Sequence, residues 1–233
     1  MRHRILKKYS IVFAIFYLVG VSFSTTLAVL NFQNNSFLEP EKYQNLSRGL
    51  ADIMITELNQ IDSIQIVERS QFQTVHDEMN LSQTGMIDEK ASIEIGKMLG
   101  AKQLVFGGYM VTNDKIRIDV RIVQVETGLT LKANEVTGKV KDVLKLIDQL
   151  SEKICQDLNI NLTNNQRKLF ENGPKIDPEA MFLFSKGLAF EDGGQLQKAK
   201  MCYIKALKME PEFKQAKIRA RRLVLQERKK GNP

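Results

Sequence analysis

The sequence predicts an α/β protein: a mixed-sheet α/β sandwich followed by a small all-α helical segment. Two short apolar runs, residues 26–32 and 64–67, are each followed by a stretch in which apolar residues recur at helical spacing. Between residues 103 and 138 the apolar period changes to two, which is typical of antiparallel strands with one buried face. From residue 178 the spacing is helical again. These three observations favour one sheet domain with helices after it.

The first predicted strand, residues 26–32, is almost entirely apolar, which favours a strand covered on both faces. A helix is predicted from about residue 41 to residue 60, because Pro40 suits the first turn of a helix and an apolar stripe follows it. The stripe contains Tyr43, Leu46, Leu50, Ile53, Met54, Leu58 and Ile61.

The next stretch predicts the order strand, helix, polar loop, helix, strand. After the strand at 64–67 comes a helical pattern, and Asp88 can cap a second helix that Gly100 would end. Residues 104–106 then return as a buried strand.

This stretch also carries a resemblance to a known family. The residues concerned are Val67-Glu68-Arg69, the loop Asn80-Leu81-Ser82-Gln83-Thr84-Gly85, and Gly96-Lys97-x-Leu99-Gly100-Ala101. They resemble the CsgG family, which includes the curli secretion channel and related TolB-amino-terminal-like periplasmic domains. The resemblance extends from residue 27 to about residue 138, roughly half of the chain. It implies a fold and a cell-envelope setting, and no motif in it is catalytic.

Residues 103–138 predict an antiparallel meander. Its alternating apolar positions are Ile116, Ile118, Val120 and Ile122. Arg117, Asp119 and Arg121 lie between them, and the pattern loses parity near Val136, which indicates a bulge. Arg117 and Arg121 are candidate partner-binding residues, and the alternative is that they belong to the solvated side of the sheet.

A second resemblance follows the sheet domain. A long apolar-striped helix from 140 to 158 closes the domain, and residues 159–177 form a linker rich in Asn, Gly and Pro. The patterns Leu183-x-x-Lys186-Gly187-x-x-Phe190 and Ala199-x-x-x-Tyr203 then resemble the tetratricopeptide repeat. That resemblance implies a partner-binding groove near Leu183, Phe184 and Lys186. The alternative is that this face packs on the main domain.

A single repeat has too little core to stand alone. The helices are therefore expected to fold against the closing helix or to stay mobile until a partner binds. The tail after Arg219 is expected to remain solvated, because few acids accompany its basic residues. The expected division is 1–24 signal peptide, 25–158 CsgG-like domain, 159–177 linker, 178–228 tetratricopeptide-like helices and 229–233 basic tail.

The amino terminus predicts export. Four basic residues precede an apolar run from 11 to 21, and Ser22 and Ser24 suit a signal-peptide cleavage site. An uncleaved anchor is the alternative, although the run is shorter than the roughly 20 residues that span a bilayer. No cysteine near the run could accept lipid, which disfavours a lipoprotein. The expected location is the periplasm, with peripheral outer-membrane association as a possibility.

Composition excludes several classes of function. The net charge of +7 comes largely from the two ends of the chain and is not accompanied by a nucleic-acid-binding motif. Cys155 and Cys202 are expected to be buried hydrophobes, and whether they pair is left open. Two cysteines and two histidines fit no common zinc pattern, and no phosphate-binding loop or nucleophile elbow occurs. We therefore expect no cofactor and no catalytic residue.

Three functions remain open from the sequence. The first is a non-enzymatic envelope protein, similar to CsgG-family components, that acts in assembly or transport through protein–protein interaction and that could form homo-oligomers. The second is a soluble periplasmic adaptor or activator of a cell-wall synthase. The third is a hydrolase with an unrecognised site.

Overall fold

The computed structural model of the protein describes residues 25–78, 89–171 and 175–230. Three expectations lie outside these residues: the signal peptide at 1–24, the polar loop at 80–85, and the cap at Asp88. The last three residues of the expected basic tail, 231–233, lie outside them as well. Within the described residues, no helix combines the length and the apolar character needed to cross a bilayer.

A mixed sheet forms the centre of the fold, as the sequence predicts, and it has six strands in the described residues. Its strands are β1 (Thr25–Val29), β2 (Gln33–Asn34), β3 (Ile64–Ile66), β4 (Gln103–Thr112), β5 (Lys115–Gln124) and β6 (Leu129–Lys139). The order across the sheet is β3-β1-β4-β5-β6, and the short β2 pairs with β4. β1 is parallel to β3 and β4, whereas β4, β5 and β6 form an antiparallel meander. A parallel half and an antiparallel half therefore share strand β4.

Nine α-helices surround or follow the sheet in the described residues. They are α1 (Pro40–Tyr43), α2 (Leu46–Leu58), α3 (Arg69–Glu78), α4 (Glu89–Met98), α5 (Val143–Asp157), α6 (Asn164–Glu171), α7 (Pro178–Asp192), α8 (Leu196–Met209) and α9 (Lys214–Lys230). The single helix expected at 41–60 is thus two helices. The buried Tyr109 hydroxyl donates a hydrogen bond to the Tyr43 carbonyl at 2.6 Å, so this carbonyl at the end of α1 has a partner outside the helix.

The two faces of the sheet are covered to different extents. On the inner face, Leu27, Val105 and Ile118 belong to a large apolar cluster that also contains residues of α2, α5 and the C-terminal helices. On the outer face, a smaller cluster from Ala28, Leu104 and neighbouring strands packs with Phe72 of α3 and Ile95 of α4. On the outer side of β5 and β6, Glu89 at the start of α4 pairs with Arg121, whereas about half of each of the Arg117, Asp119 and Glu135 side chains is exposed. Half of the outer face is therefore accessible in the described structure.

The bulge lies at a different position from the one predicted. The β5–β6 register shifts between Ile122 and Val123, so that Leu131 is the extra residue on β6. Val136, where we expected the break, is buried and in register with Ile118. Leu129, which pairs with Gln124 at the end of β5, and the extra residue Leu131 are both exposed.

The C-terminal helices are docked on the domain, but not where the sequence predicted. α7 packs against α2 rather than chiefly against the closing helix α5. Gly49 permits this contact, because a Cβ there would overlap Ser185 and lie 2.8 Å from Met181 Cε. The range 159–177 contains α6, whose Phe170 is buried in the large cluster. Residues from both sides of the expected linker thus share one core.

Candidate interaction surfaces

The first candidate surface is the exposed side of the meander. We call it the outer sheet face and define it by Arg117, Asp119, Arg121 and Glu135. Strand alternation places these side chains opposite the buried isoleucines of β5, as the sequence predicts. About half of each side chain is exposed, from 47% for Arg117 to 60% for Glu135. The face is therefore open to a partner.

The charges on the outer sheet face are mutually paired. Arg117 contacts Asp119 at 2.8 Å and Glu135 at 2.5 Å, and Arg121 contacts Glu89 at 3.5 Å. The hydrogen bond from Arg117 to Asp119, with the charges of Asp119 and Glu135, raises the pKa of Arg117 above its ordinary value. A surface of alternating, paired charges is suited to selecting a partner by complementarity rather than to binding any polyanion.

The second candidate surface lies on α7, and the structure separates its three predicted residues. Leu183 is half-buried and Lys186 is exposed, with its Nζ 5.9 Å from the centre of the Phe190 ring. Phe184 is fully buried, with its ring centre 4.9 Å from that of Phe213. Phe184 therefore belongs to the helical core and not to a partner surface, because a helix turns successive residues onto different faces. The tetratricopeptide resemblance of these helices stays a prediction.

The two candidate surfaces lie on opposite sides of the molecule. α7 packs on α2, which covers the inner face of the sheet, whereas Arg117 and Arg121 project from the outer face. The structure therefore does not bring the five predicted partner-binding residues into one site.

Sequence reasoning missed a set of ion pairs that joins the C-terminal helices to the domain. We call it the docking network. Its members are Arg48, Asp52, Arg69, Glu191, Asp192, Arg219 and Arg222.

The docking network has two centres. In the first, the Asp192 carboxylate at the end of α7 accepts a hydrogen bond from Arg48 at 2.9 Å and also forms an ion pair with Arg69. In the second, Arg219 of α9 is paired with Asp52 of α2 and lies 3.4 Å from Glu191. Both centres connect α2 or α3 with elements more than 100 residues later in the chain. The sequence signal is Arg48 and Asp52, two charges spaced i, i+4 beside the apolar stripe of α2.

This network corrects the expectation that the tail after Arg219 is solvated. Only 15% of the Arg219 side chain and 2% of the Asp52 side chain are exposed. Burial lowers the pKa of Arg219, but the neighbouring charges of Asp52 and Glu191 outweigh it, so the pKa lies above its ordinary value. Arg222 is also paired with Glu191. Acids that lie far away in the sequence therefore neutralise part of the tail.

A cleft of about 370 Å³ lies between α1, the β4–β5 turn and the start of α7. Lys42, Lys139 and Lys141 line it together with Asp114, and Tyr43 and Phe182 form an edge-to-face aromatic pair with ring centres 5.5 Å apart. It contains no histidine, cysteine or carboxylate pair that would support acid–base or nucleophilic chemistry.

The two cysteines are free and buried, which answers the question of their pairing. Burial, with a smaller contribution from Glu152, raises the pKa of Cys155 to about 12. Burial also raises the pKa of Cys202, against the charges of Lys186 and Lys205. Neither thiol is thus activated as a nucleophile. Within residues 25–78, 89–171 and 175–230, no group of three or more His, Cys, Asp or Glu side chains could hold a metal ion.

Comparison with known proteins supports the first resemblance. A family model described as curli production assembly/transport component CsgG matches residues 21–112, which is less than half of the chain. The matched range contains β1 to β4 and ends before the outer sheet face. A curated relative, a putative adenylate cyclase 3 from Rhizobium meliloti, is 23% identical over 155 residues. This alignment covers 66% of this chain but only 24% of the relative, so the chain spans about a quarter of that protein's length.

Several solved structures are also similar. The LpoB C-terminal domain from Escherichia coli is 17% identical with a TM-score of 0.37, covering 52% of this chain and 86% of that chain. TolB from Acinetobacter baumannii is 14% identical with a TM-score of 0.34, covering 58% and 28%. The PelC dodecamer from Paraburkholderia phytofirmans is 11% identical with a TM-score of 0.36, covering 61% and 92%.

Proposed function

We propose that the protein is a non-enzymatic component of the cell envelope that acts in assembly or transport, at the periplasm or outer membrane, through protein–protein interaction. The observation that carries the proposal is the outer sheet face, where about half of each of the Arg117, Asp119, Arg121 and Glu135 side chains is exposed. The CsgG family match to residues 21–112 supports the envelope setting.

The physical reason to assign binding to this face is its construction. Helices α3 and α4 cover the parallel half of the sheet, so the exposed half is not needed to complete the smaller core. Exposed charges fixed on paired strands hold a defined spacing, which a partner with the complementary pattern can recognise. Reversing two of these charges should weaken a specific complex while leaving the core intact.

The test is affinity capture from envelope extracts with the Arg117→Glu/Arg121→Glu variant. We expect the variant to lose proteins that the unmodified chain retains. The matched control is Lys168→Glu/Lys175→Glu, which makes the same charge change at two exposed positions outside the sheet. If both variants retain the same proteins as the unmodified chain, the outer sheet face is not the binding surface.

A second candidate function is a soluble periplasmic adaptor or activator of a cell-wall synthase. The observation that favours it is that the α7 surface and the outer sheet face lie on opposite sides of the molecule, an arrangement that suits contact with two partners at once. Peptidoglycan synthases among the captured proteins would support this candidate, whereas secretion or outer-membrane assembly proteins would support the first. Lys186→Glu should then remove a different subset of partners from Arg117→Glu/Arg121→Glu.

A further inference from the structure

The last two helices carry a concentrated positive charge. α8 contains four lysines and no acidic residue, and α9 contains eight basic residues and one acidic residue, Glu227. Part of this charge is used within the protein, since Lys200 pairs with Glu227 at 2.7 Å and Arg219 belongs to the docking network. The exposed Lys205, Lys208 and Arg221 have no ion-pair partner among the described residues. An uncompensated cationic surface therefore remains.

Large apolar side chains lie on the same helical faces as these cations. On α8, Met201 is 57% exposed and Ile204 is 41% exposed, and they precede Lys205 and Lys208 at spacings that share one face. On α9, Ile218 and Leu225 are 51% and 50% exposed on either side of Arg221. We call this surface the basic helical face, and its members are Met201, Ile204, Lys205, Lys208, Ile218 and Arg221.

The two helices that carry these faces are neighbours. A four-residue connection joins the end of α8 to the start of α9. At the other end, Glu227 near the end of α9 accepts a hydrogen bond from Gln197 and forms an ion pair with Lys200, both near the start of α8. The helices are therefore antiparallel and adjacent, and both outer faces combine exposed aliphatic side chains with cations.

We propose that the basic helical face binds the surface of a bilayer that contains anionic phospholipid. Aliphatic side chains enter the boundary between headgroups and acyl chains, while lysine and arginine side chains reach the phosphates. A nucleic acid would instead favour exposed aromatic rings for base stacking, and the aromatic residue of α8, Tyr203, is buried. The proposal concerns a different surface from the outer sheet face, so partner capture and lipid binding can fail independently.

The first experiment uses the absence of tryptophan from the chain. Ile204→Trp and Ile218→Trp each introduce a single reporter on the basic helical face of the complete chain. Leu129→Trp is the matched control, because Leu129 is 64% exposed but lies at the β5–β6 turn. With vesicles of phosphatidylcholine and phosphatidylglycerol, we expect the two face reporters to shift to the blue and to be quenched by brominated lipid.

We expect no such change for Leu129→Trp, and none for any reporter with pure phosphatidylcholine vesicles. Binding through residues 1–24 would be common to all three variants, so the difference between positions isolates the face. If the face reporters respond no more than Leu129→Trp, the proposal is overturned.

The second experiment measures the vesicle partition coefficient by co-sedimentation. Lys205→Glu/Lys208→Glu should lower it by at least about 25-fold, since each basic residue near an anionic surface contributes about fivefold. The control, Lys115→Glu/Lys139→Glu, makes the same charge change at two exposed positions that pair across strands of the meander. It should change the partition coefficient less than about twofold, because charges beyond a Debye length are screened. Equal losses in both variants would mean that net charge alone acts, and would contradict the assignment.

A competition arm separates lipid from other polyanions. Poly-glutamate and a single-stranded oligonucleotide are added to vesicle-bound protein at equal charge concentration. Retention on the vesicles supports the proposal, because neither competitor offers an apolar phase for Ile204 and Ile218. Complete displacement by either competitor would identify a charge-only polyanion site and would overturn it.

Discussion

Replacing Asp52 tests whether the docking network holds the C-terminal helices on the domain. Asp52 is 2% exposed and paired with Arg219, which is 15% exposed. Removing one partner of a buried ion pair costs about 3–5 kcal/mol, because the other charge stays buried without compensation. In Asp52→Asn, Arg219 still lies 3.4 Å from Glu191, so we place the cost at the lower end, about 3 kcal/mol.

This loss is large enough to measure in two ways. For a protein of this size, about 3 kcal/mol corresponds to a fall in melting temperature of roughly 6–12 °C. In urea, with a slope of about 2–3 kcal/mol/M, the unfolding midpoint should fall by about 1–1.5 M. Circular dichroism at 222 nm follows both transitions.

Two further variants make the argument refutable. Asp52→Leu/Arg219→Met replaces both charges with apolar groups and should recover most of the loss. Asp119→Asn removes a carboxylate from an ion pair in which both side chains are 47% exposed, and should leave the midpoint within experimental error. If Asp52→Asn lowers the midpoint no more than Asp119→Asn does, the network does not hold the helices, and apolar packing alone accounts for docking.

Three other outcomes follow from the described contacts. Gly187→Ala should destabilise the protein by about 1–2 kcal/mol in thermal unfolding, because the added Cβ overlaps the buried Tyr203 ring and the cost of this overlap exceeds the gain in helix propensity. Gly193→Ala should not destabilise it, because the nearest atom to the added Cβ is 3.6 Å away. Cys155, whose pKa is raised to about 12, should not react with a disulfide reagent at pH 8 until the protein is unfolded, and rapid reaction of two thiols in the native state would contradict its burial. Burial raises the pKa of Glu57, against the opposing charge of Lys214, so its contribution to stability grows as the pH falls through the folded-state pKa and is complete below the unfolded-state pKa. The melting temperature of the unmodified protein should therefore rise relative to that of Glu57→Gln as the pH is lowered from 7.5 to 4. A difference between the two melting temperatures that does not change with pH would contradict this.

The sequence predicted the parts of the fold that depend on local pattern. Strand alternation in β5 placed Ile118 in the core and Arg117 on the outer face, because a two-residue period leaves no other arrangement once one face is buried. The bulge was misplaced because the exposed Leu129 and Leu131 imitate the buried pattern on an edge strand. Apolar residues at such positions do not reveal by themselves which side of the strand is covered.

The candidate surfaces were only partly predictable, for a different physical reason. Leu183 and Lys186 were chosen from the position of a groove in a repeat, but Phe184 was needed by the core between α7 and α9. The pairing of Arg219 with Asp52 depends on tertiary contact between residues 167 positions apart. No local period or propensity carries that information.

The same separation has a consequence for how the chain folds. The β4–β5–β6 meander joins residues that are close in sequence, since Thr112 pairs with Lys115, so its loops close at small entropic cost. The pairing of Leu27 with Gln103 must close a much longer loop, and the contact of Asp52 with Arg219 a longer one still. α9 lies at the end of the described chain, so α2 remains without its Arg219 partner until nearly all of the described chain has been synthesised. Docking of α9 is thus a late folding event, and an incomplete chain would leave Asp52 and its apolar neighbours exposed.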